Sequence, residues 1–426
     1  MIQELRIKNF LSFKDEVVFS FEATADKNLE DYYIYEPIAG VRLLKLALVY
    51  GANASGKSNL INAFGFIRDF VFRITQSKEV ELDFHPFAFN SEINNIGEFE
   101  LVFYVGAVKH VYKLEIGKQY VKSECLYYYP GTQPAIVFER HFDEKSNTSV
   151  IEFGTKLKIS KIAKEEISLK TLRNSSVFAA YSQVNISNPA LENVYEWFGR
   201  QFLTPINPYT SLTDYSDKHI KIDSEIKKQA LKFIKKADFN ITDISFKDTF
   251  RELPEHLLKE IETTPMAEEE KEVIRKEKGF HYDETVFEHS IVREGVYEKY
   301  VLPENRQSKG TIRYYGLSAP FYNTIKQNAF LPIDEIGSSL HPLLVKHFIK
   351  EFLLQSSSSQ LLITTHNMSL LNEKDILRKD AIWFTDKQED GATDLYSAAD
   401  FSDFRKELSY FNYYKSGKFG AVPSID

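Results

Sequence analysis

The sequence predicts an α/β protein: a mixed, mainly parallel sheet flanked by helices, with a β-rich insertion and a helical middle insertion. Three observations carry this expectation. A nearly continuous apolar run, LLKLALVY (Leu43 to Tyr50), leads into GANASGKSN and then into a helical pattern. Helix-like and strand-like segments alternate from 311 to 400, the rhythm of a parallel sheet. Between these regions, FELVFYVGAVKHVYKLEIGKQYVKSECLYYY reads as short strands separated by Gly-containing turns.

At the N-terminus, LRIKNFLSF alternates and EVVFSF repeats the alternation, so both read as strands. In NLINAFGFIRDFVFRI, Leu60, Phe64, Ile67 and Val71 share one helical face. The chain turns helical from 160 to 205, where Asn188–Pro189 predicts an N-cap and a first helical residue. Residues 215–279 read as a charged helical middle. Within Asp223–Phe239, Ile226, Ala230, Phe233, Ile234 and Ala237 share a face, with Lys228, Lys232, Lys235 and Lys236 opposite. MAEEEKEVIRKEKG is a second charged run, ending at Gly279. Both read as solvated helix faces; contact of the lysines with nucleic acid is the sharper alternative. Residues 280–300 return to strand. The helix TIRYYGLSAPFYNTIKQ precedes the strand AFLPIDE, PLLVKHFIKEFLLQ precedes QLLITT, and DAIWFTD follows. The expected organisation is 1–80 (phosphate loop), 81–155 (β-rich), 156–300 (mainly helical insertion) and 301–426 (C-terminal part of the core).

A length of 426 residues implies two or three domains. Hydrophobic residues at 43% and charged residues at 27% fit a globular core. A net charge of −8 gives no global attraction to nucleic acid or anionic membrane. The single cysteine, Cys125, excludes a disulfide framework and a thiolate metal site; in ECLYYY it reads as a buried strand residue. MIQELRIKNF carries Glu4, Arg6 and Lys8 and does not read as a targeting segment. No window supplies the roughly twenty apolar residues that span a bilayer. The expectation is a cytoplasmic protein without membrane contact.

GANASGKS satisfies G-x-x-x-x-G-K-[ST], with a buried strand before it and a helix after it. Glycines let backbone N–H groups turn inward around phosphate, and the helix N-terminus adds partial positive charge. The nucleotide-binding candidates are Gly51, Asn53, Ala54, Ser55, Gly56, Lys57, Ser58 and Asn59. Lys57 would reach the β- and γ-phosphates, and Ser58 would hold Mg²⁺. LPIDEI ends an apolar strand in Asp334, a second Mg²⁺ candidate, and Glu335, the candidate general base. Pro332 lacks a ladder donor, so its nitrogen faces away from a partner or a bulge sits there. LLITTHN ends in His366, placed for a γ-phosphate contact. SKGT, with Ser308, Gly310 and Thr311, opens the helix before the LPIDEI strand and is itself an anion site.

The order of phosphate loop, SKGT, DE strand end, SSLHP and histidine resembles that of ABC-type ATPases. IKNFLSF ahead of GANASGKSN resembles the SMC/RecF/OLD-like branch. More narrowly, SKGT, IDEIGSSLHP and the tail YYKSGKFGAVP (Tyr413 to Pro423) are similar to the stand-alone RloA-like AAA-family ATPases of bacterial antiphage, abortive-infection systems. The resemblance covers residues 1–65, 300–400 and the tail; residues 80–295 match only in general layout. It implies ATP with Mg²⁺, hydrolysis, and a homodimer or higher homo-oligomer that sandwiches ATP. Ser308, Gly310 and Thr311 of one chain would complete the site of the other. Ser338, Ser339 and Leu340 match the D-loop at that interface, and His366 the switch histidine. The transporter signature LSGGQ is absent, and Gln183 is the candidate for the Q-loop glutamine. No Asn-Lys-x-Asp guanine motif occurs, so ATP is expected rather than GTP.

The function so implied is an ATPase whose dimerisation gates an antiviral defence assembly with a separate, nuclease-like effector. Sixty residues follow His366, too few for the Toprim nuclease of OLD proteins. The alternatives are a RecF/SMC-like DNA-maintenance ATPase, a transporter's nucleotide-binding subunit and a non-hydrolysing scaffold. No sustained heptad run supports SMC-type arms.

Overall fold

The computed structural model describes residues 1–90, 95–237, 240–402 and 409–423. The chain divides into two compact units: Met1–Thr210 with Asn323–Asp426, and Ser211–Tyr322.

The centre of the first unit is the strand Leu46–Tyr50, buried at every residue. It lies between Gln360–Thr364 and Ile382–Lys387, parallel to both. Phe330–Ile333 extends the parallel set on one side, and Thr393–Ser397 adds an antiparallel strand on the other. Burial on both faces explains the unbroken apolar composition of the central strand. Lys45 sets its start. Its buried ammonium donates to the Ser356 carbonyl at 2.6 Å, and the preceding Leu43–Leu44 pairs elsewhere, with Ile34–Tyr35.

Pro332 pairs with Leu362 in an unbroken register. Its missing donor faces the outer edge. There Phe330 O accepts from Leu203 N and Pro332 O from Ile206 N. The opposing backbone thus advances three residues for two on the strand, and the irregular step coincides with the absent N–H.

A second, seven-stranded antiparallel sheet runs from Thr148–Phe153 through Ala135–Asp143, Val121–Tyr129, Val108–Ile116 and Gly97–Val105 to Ile2–Lys8 and Val17–Ser20. The N-terminal strands and the β-rich stretch therefore share one sheet. Cys125 is buried in it, and burial pushes its thiol pKa up. The helix Lys57–Phe72 touches both sheets. Phe64 stands 4.9 Å from Phe330, and Phe66 stands 5.2 Å from Phe99. Further along, Asn188 caps the helix Pro189–Arg200 by accepting from Ala190 N.

In the second unit, Asp223 caps the helix Ser224–Lys235. Phe233 stacks on Tyr314 at 4.4 Å, while Lys228, Lys232, Lys235 and Lys236 are exposed, as the pattern predicts. Phe239 lies outside the described residues. The structure departs from the expected helical middle over 215–279. Ile241–Glu252 is a strand, paired with Gly279–Arg293, which in turn pairs with Val296–Pro303. Only Ile241 and Ile244 of that first strand are buried, so its charged remainder hides the period of two. The boundaries at 210/211 and 322/323 also differ from the expected 155/156 and 300/301. Among the described residues, no helix is long and apolar enough to cross a membrane.

Candidate nucleotide site

The loop Gly51–Gly56 turns back on itself where side chains have no room. A Cβ on Gly51 would lie 2.5 Å from Ser55 Oγ and from the Thr385 carbonyl. Gly56 has φ +108°, and a Cβ there would lie 2.4 Å from Thr393 Oγ1. Only glycine suits such a position. Ser55 Oγ pairs with Thr385 Oγ1 at 2.6 Å, and Thr393 Oγ1 donates to the Ser55 carbonyl at 2.9 Å. The loop is thereby fixed to the strands Ile382–Lys387 and Thr393–Ser397. No side chain caps the helix that begins at Lys57, so its terminal N–H groups keep their capacity for an anion.

Lys57 is 4% exposed, and its ammonium donates to the carbonyls of Gly51 at 3.0 Å and Ala52 at 2.8 Å. Burial lowers its pKa, while the carboxylates of Glu335 and Asp334 act in the opposite direction. The phosphate loop and the DE strand end thus share one electrostatic environment.

Thr364, at the end of the neighbouring strand, links the two acids. Its hydroxyl donates to Asp334 Oδ1 and accepts from Glu335 N at 2.8 Å. Glu335 adopts φ +46°, a left-handed conformation that costs a non-glycine residue on the order of 1 kcal/mol. The turn brings its carboxylate to His366, with Nε2 3.2 Å from Oε1. Asp334 itself is buried.

A cavity of about 920 Å³ opens above the loop. Of the sequence candidates, Asn53 to Asn59, Glu335 and His366 line it; Gly51 and Asp334 do not. Ser338, Ser339 and Leu340 follow in a turn closed by Ser338 N on the Glu335 carbonyl at 2.9 Å, with Ser339 at φ +64°. Ser308, Gly310 and Thr311 belong to the Ser211–Tyr322 unit. Ser308 accepts from Thr311 N at 3.0 Å and so caps the helix Lys309–Lys326. Gln183 turns its amide onto the Ala179 carbonyl at 3.1 Å and does not line the cavity.

Sequence reasoning missed several lining residues: Leu11, Ser12, the segment His85–Phe89, Lys118, Lys387 and Gly391. The contacts that place the segment come from IKNFLSF, far away in the chain. Asn9 Oδ1 accepts from Phe87 N, Leu11 N donates to His85 O at 2.8 Å, and Ser12 Oγ accepts from Asn59 Nδ2 at 2.7 Å. Asn9 and Leu11 both take positive φ to make these contacts. This motif therefore docks HPFAF beside the phosphate loop.

Thr364 was also missed. For a site that hydrolyses a bound nucleotide, Thr364→Val is expected to lower turnover about 10- to 100-fold, the usual effect of removing a group that orients a ligand-binding carboxylate. Steady-state phosphate release checks this; an unchanged rate with intact folding removes Thr364 from the site.

The fold and this loop define a P-loop nucleotide-binding protein of α/β class. Residues 46–372 match the family described as "AAA domain, putative AbiEii toxin, Type IV TA system", and the chain belongs to that family. No curated protein matches the chain. Solved structures similar to it include the SMC head domain from Thermotoga maritima, 14% identical over 93% of this chain and 98% of that one, with TM-score 0.42. The SmcHead bound to the C-winged helix domain of ScpA is 13% identical over 93% and 97%, with TM-score 0.42. The Smc head domain with an extended coiled coil bound to the C-terminal domain of ScpA, derived from Pyrococcus furiosus, is 13% identical over 98% of each chain, with TM-score 0.40.

Proposed function

We propose that the chain binds and hydrolyses ATP, and that ATP joins two copies of it. The observation that carries the reading is the convergence of the Lys57 loop and the Glu335–His366 pair on one cavity. The residues present suit a triphosphate: an uncapped helix terminus, a desolvated ammonium and a loop closed to side chains. Lys57 and the loop N–H groups take the phosphate oxygens. Glu335 accepts the proton of the attacking water, and His366 orients that carboxylate and faces the terminal phosphate. Ser58 and Asp334 would hold Mg²⁺, which, when bound, neutralises charge on the phosphates. No group of three His, Cys, Asp or Glu side chains among the described residues forms a metal cluster. Mg²⁺ is commonly held by one or two carboxylates plus substrate phosphates.

Ser308 and Gly310, at a capped helix N-terminus, complete the γ-phosphate site of the second copy. ATP then acts as an intermolecular link that hydrolysis releases. Such a cycle gates an antiviral defence assembly, the role implied by the resemblance of SKGT, IDEIGSSLHP and the tail to antiphage ATPases. The effector is a separate protein.

Mixing two inactive variants tests the shared site. Lys57→Ala disables a chain's own phosphate loop, and Ser308→Arg disables the signature it lends. Each alone should be inactive, and an equimolar mixture should regain activity through mixed pairs. Folded variants that fail to rescue one another would overturn the shared site. ATP-independent, metal-dependent DNA cleavage by the purified chain would overturn the separate effector.

A further inference from the structure

We propose that Phe89 is the stacking platform for the nucleobase, and that the segment His85–Phe89 forms the nucleoside subsite. This rests on the ATP reading above. Phe89 is 71% exposed, yet it lines the cavity over the phosphate loop. Its ring is not loose. It stands edge-on to the buried Phe87 at 5.7 Å, and it lies over Gly391. A Cβ on Gly391 would come within 2.8 Å of the Phe89 ring, and Gly391 takes φ +85°. The hairpin turn carrying Gly391 is held by Lys14 Nζ on Asp390 Oδ2 at 2.6 Å and by Ala392 N on Asp390 Oδ1 at 3.0 Å.

The opposite side of the segment is equally fixed, by Leu11 on His85 and by Asn9 on the Phe87 backbone. An aromatic ring exposed to water but supported from two sides is pre-organised for a flat apolar partner. The triphosphate end of a nucleotide is committed to the loop donors and Lys57, and a phenyl ring offers phosphate nothing. The base, with its π-face, is the part that suits Phe89. Stacking tolerates any base, and a purine presents the larger face. The subsite therefore favours purine over pyrimidine nucleotides.

The test is equilibrium binding to the full chain with Mg²⁺, using ATP, CTP and inorganic tripolyphosphate as probes. Phe89→Ala should weaken ATP binding about tenfold and leave tripolyphosphate affinity unchanged. Phe89→Trp should retain ATP affinity, and wild type should prefer ATP to CTP. Wild-type ATP binding with no change in Phe89→Ala overturns the subsite alone. Parallel loss of ATP and tripolyphosphate does the same, since it marks general damage to the loop. A wild-type chain that binds no ATP overturns the underlying ATP reading as well.

Discussion

Glu335→Gln is expected to bind ATP at least as tightly as wild type, to lose about 10²- to 10⁴-fold in turnover, and to accumulate as a closed dimer. The amide keeps the size of the side chain, so the left-handed turn at φ +46° and the bond that Glu335 N donates to the Thr364 hydroxyl persist. The amide oxygen can still accept from His366. What disappears is the group that takes a proton from water. The negative charge near Lys57 falls by one, and that favours binding of a polyanion. Phosphate release measures the rate, and light scattering with and without ATP measures the size. Unchanged turnover would favour a non-hydrolysing scaffold. An unchanged mass would count against the sandwich.

The candidate positions of the phosphate loop and the acid pair stood out in the sequence because each follows from a local pattern. A glycine-framed turn between a buried strand and a helix needs no tertiary information, and an acid pair at the end of LPI needs only the period of the strand. The lining segment His85–Phe89 was not legible for the opposite reason. It has no regular secondary structure, and its place depends on Asn9 and Leu11, more than 70 residues earlier. Thr364 was hidden by its neighbour. In LLITTHN the histidine draws attention, although the threonine hydroxyl is what joins Asp334 to Glu335. The strand Ile241–Glu252 failed differently. Eleven of its residues find partners on Gly279–Arg293, yet its exposed, charged positions outnumber its buried ones. Pairing with a neighbour, not its own hydrophobic period, makes it a strand.

Lys57→Ala should abolish the stabilisation by ATP while leaving the ligand-free protein as stable as wild type, or slightly more so. Burial depresses the Lys57 pKa below its ordinary value. Between that depressed value and the unfolded one near 10.5, the unfolded chain binds more protons than the folded chain. Stability therefore rises with pH through that window. At neutral pH the buried charge is a cost to the empty fold, only partly offset by the Gly51 and Ala52 carbonyls. Alanine removes that cost together with the means of holding phosphate. In wild type, ATP at a thousand times its dissociation constant adds about 4 kcal/mol of stability; in Lys57→Ala the addition should vanish. Thermal melts with and without ATP separate the two effects. A persistent ATP shift would remove Lys57 from the phosphate site. A lower melting point without ATP would instead make its bonds to Gly51 and Ala52 a structural brace for the loop, with phosphate binding carried by the backbone donors.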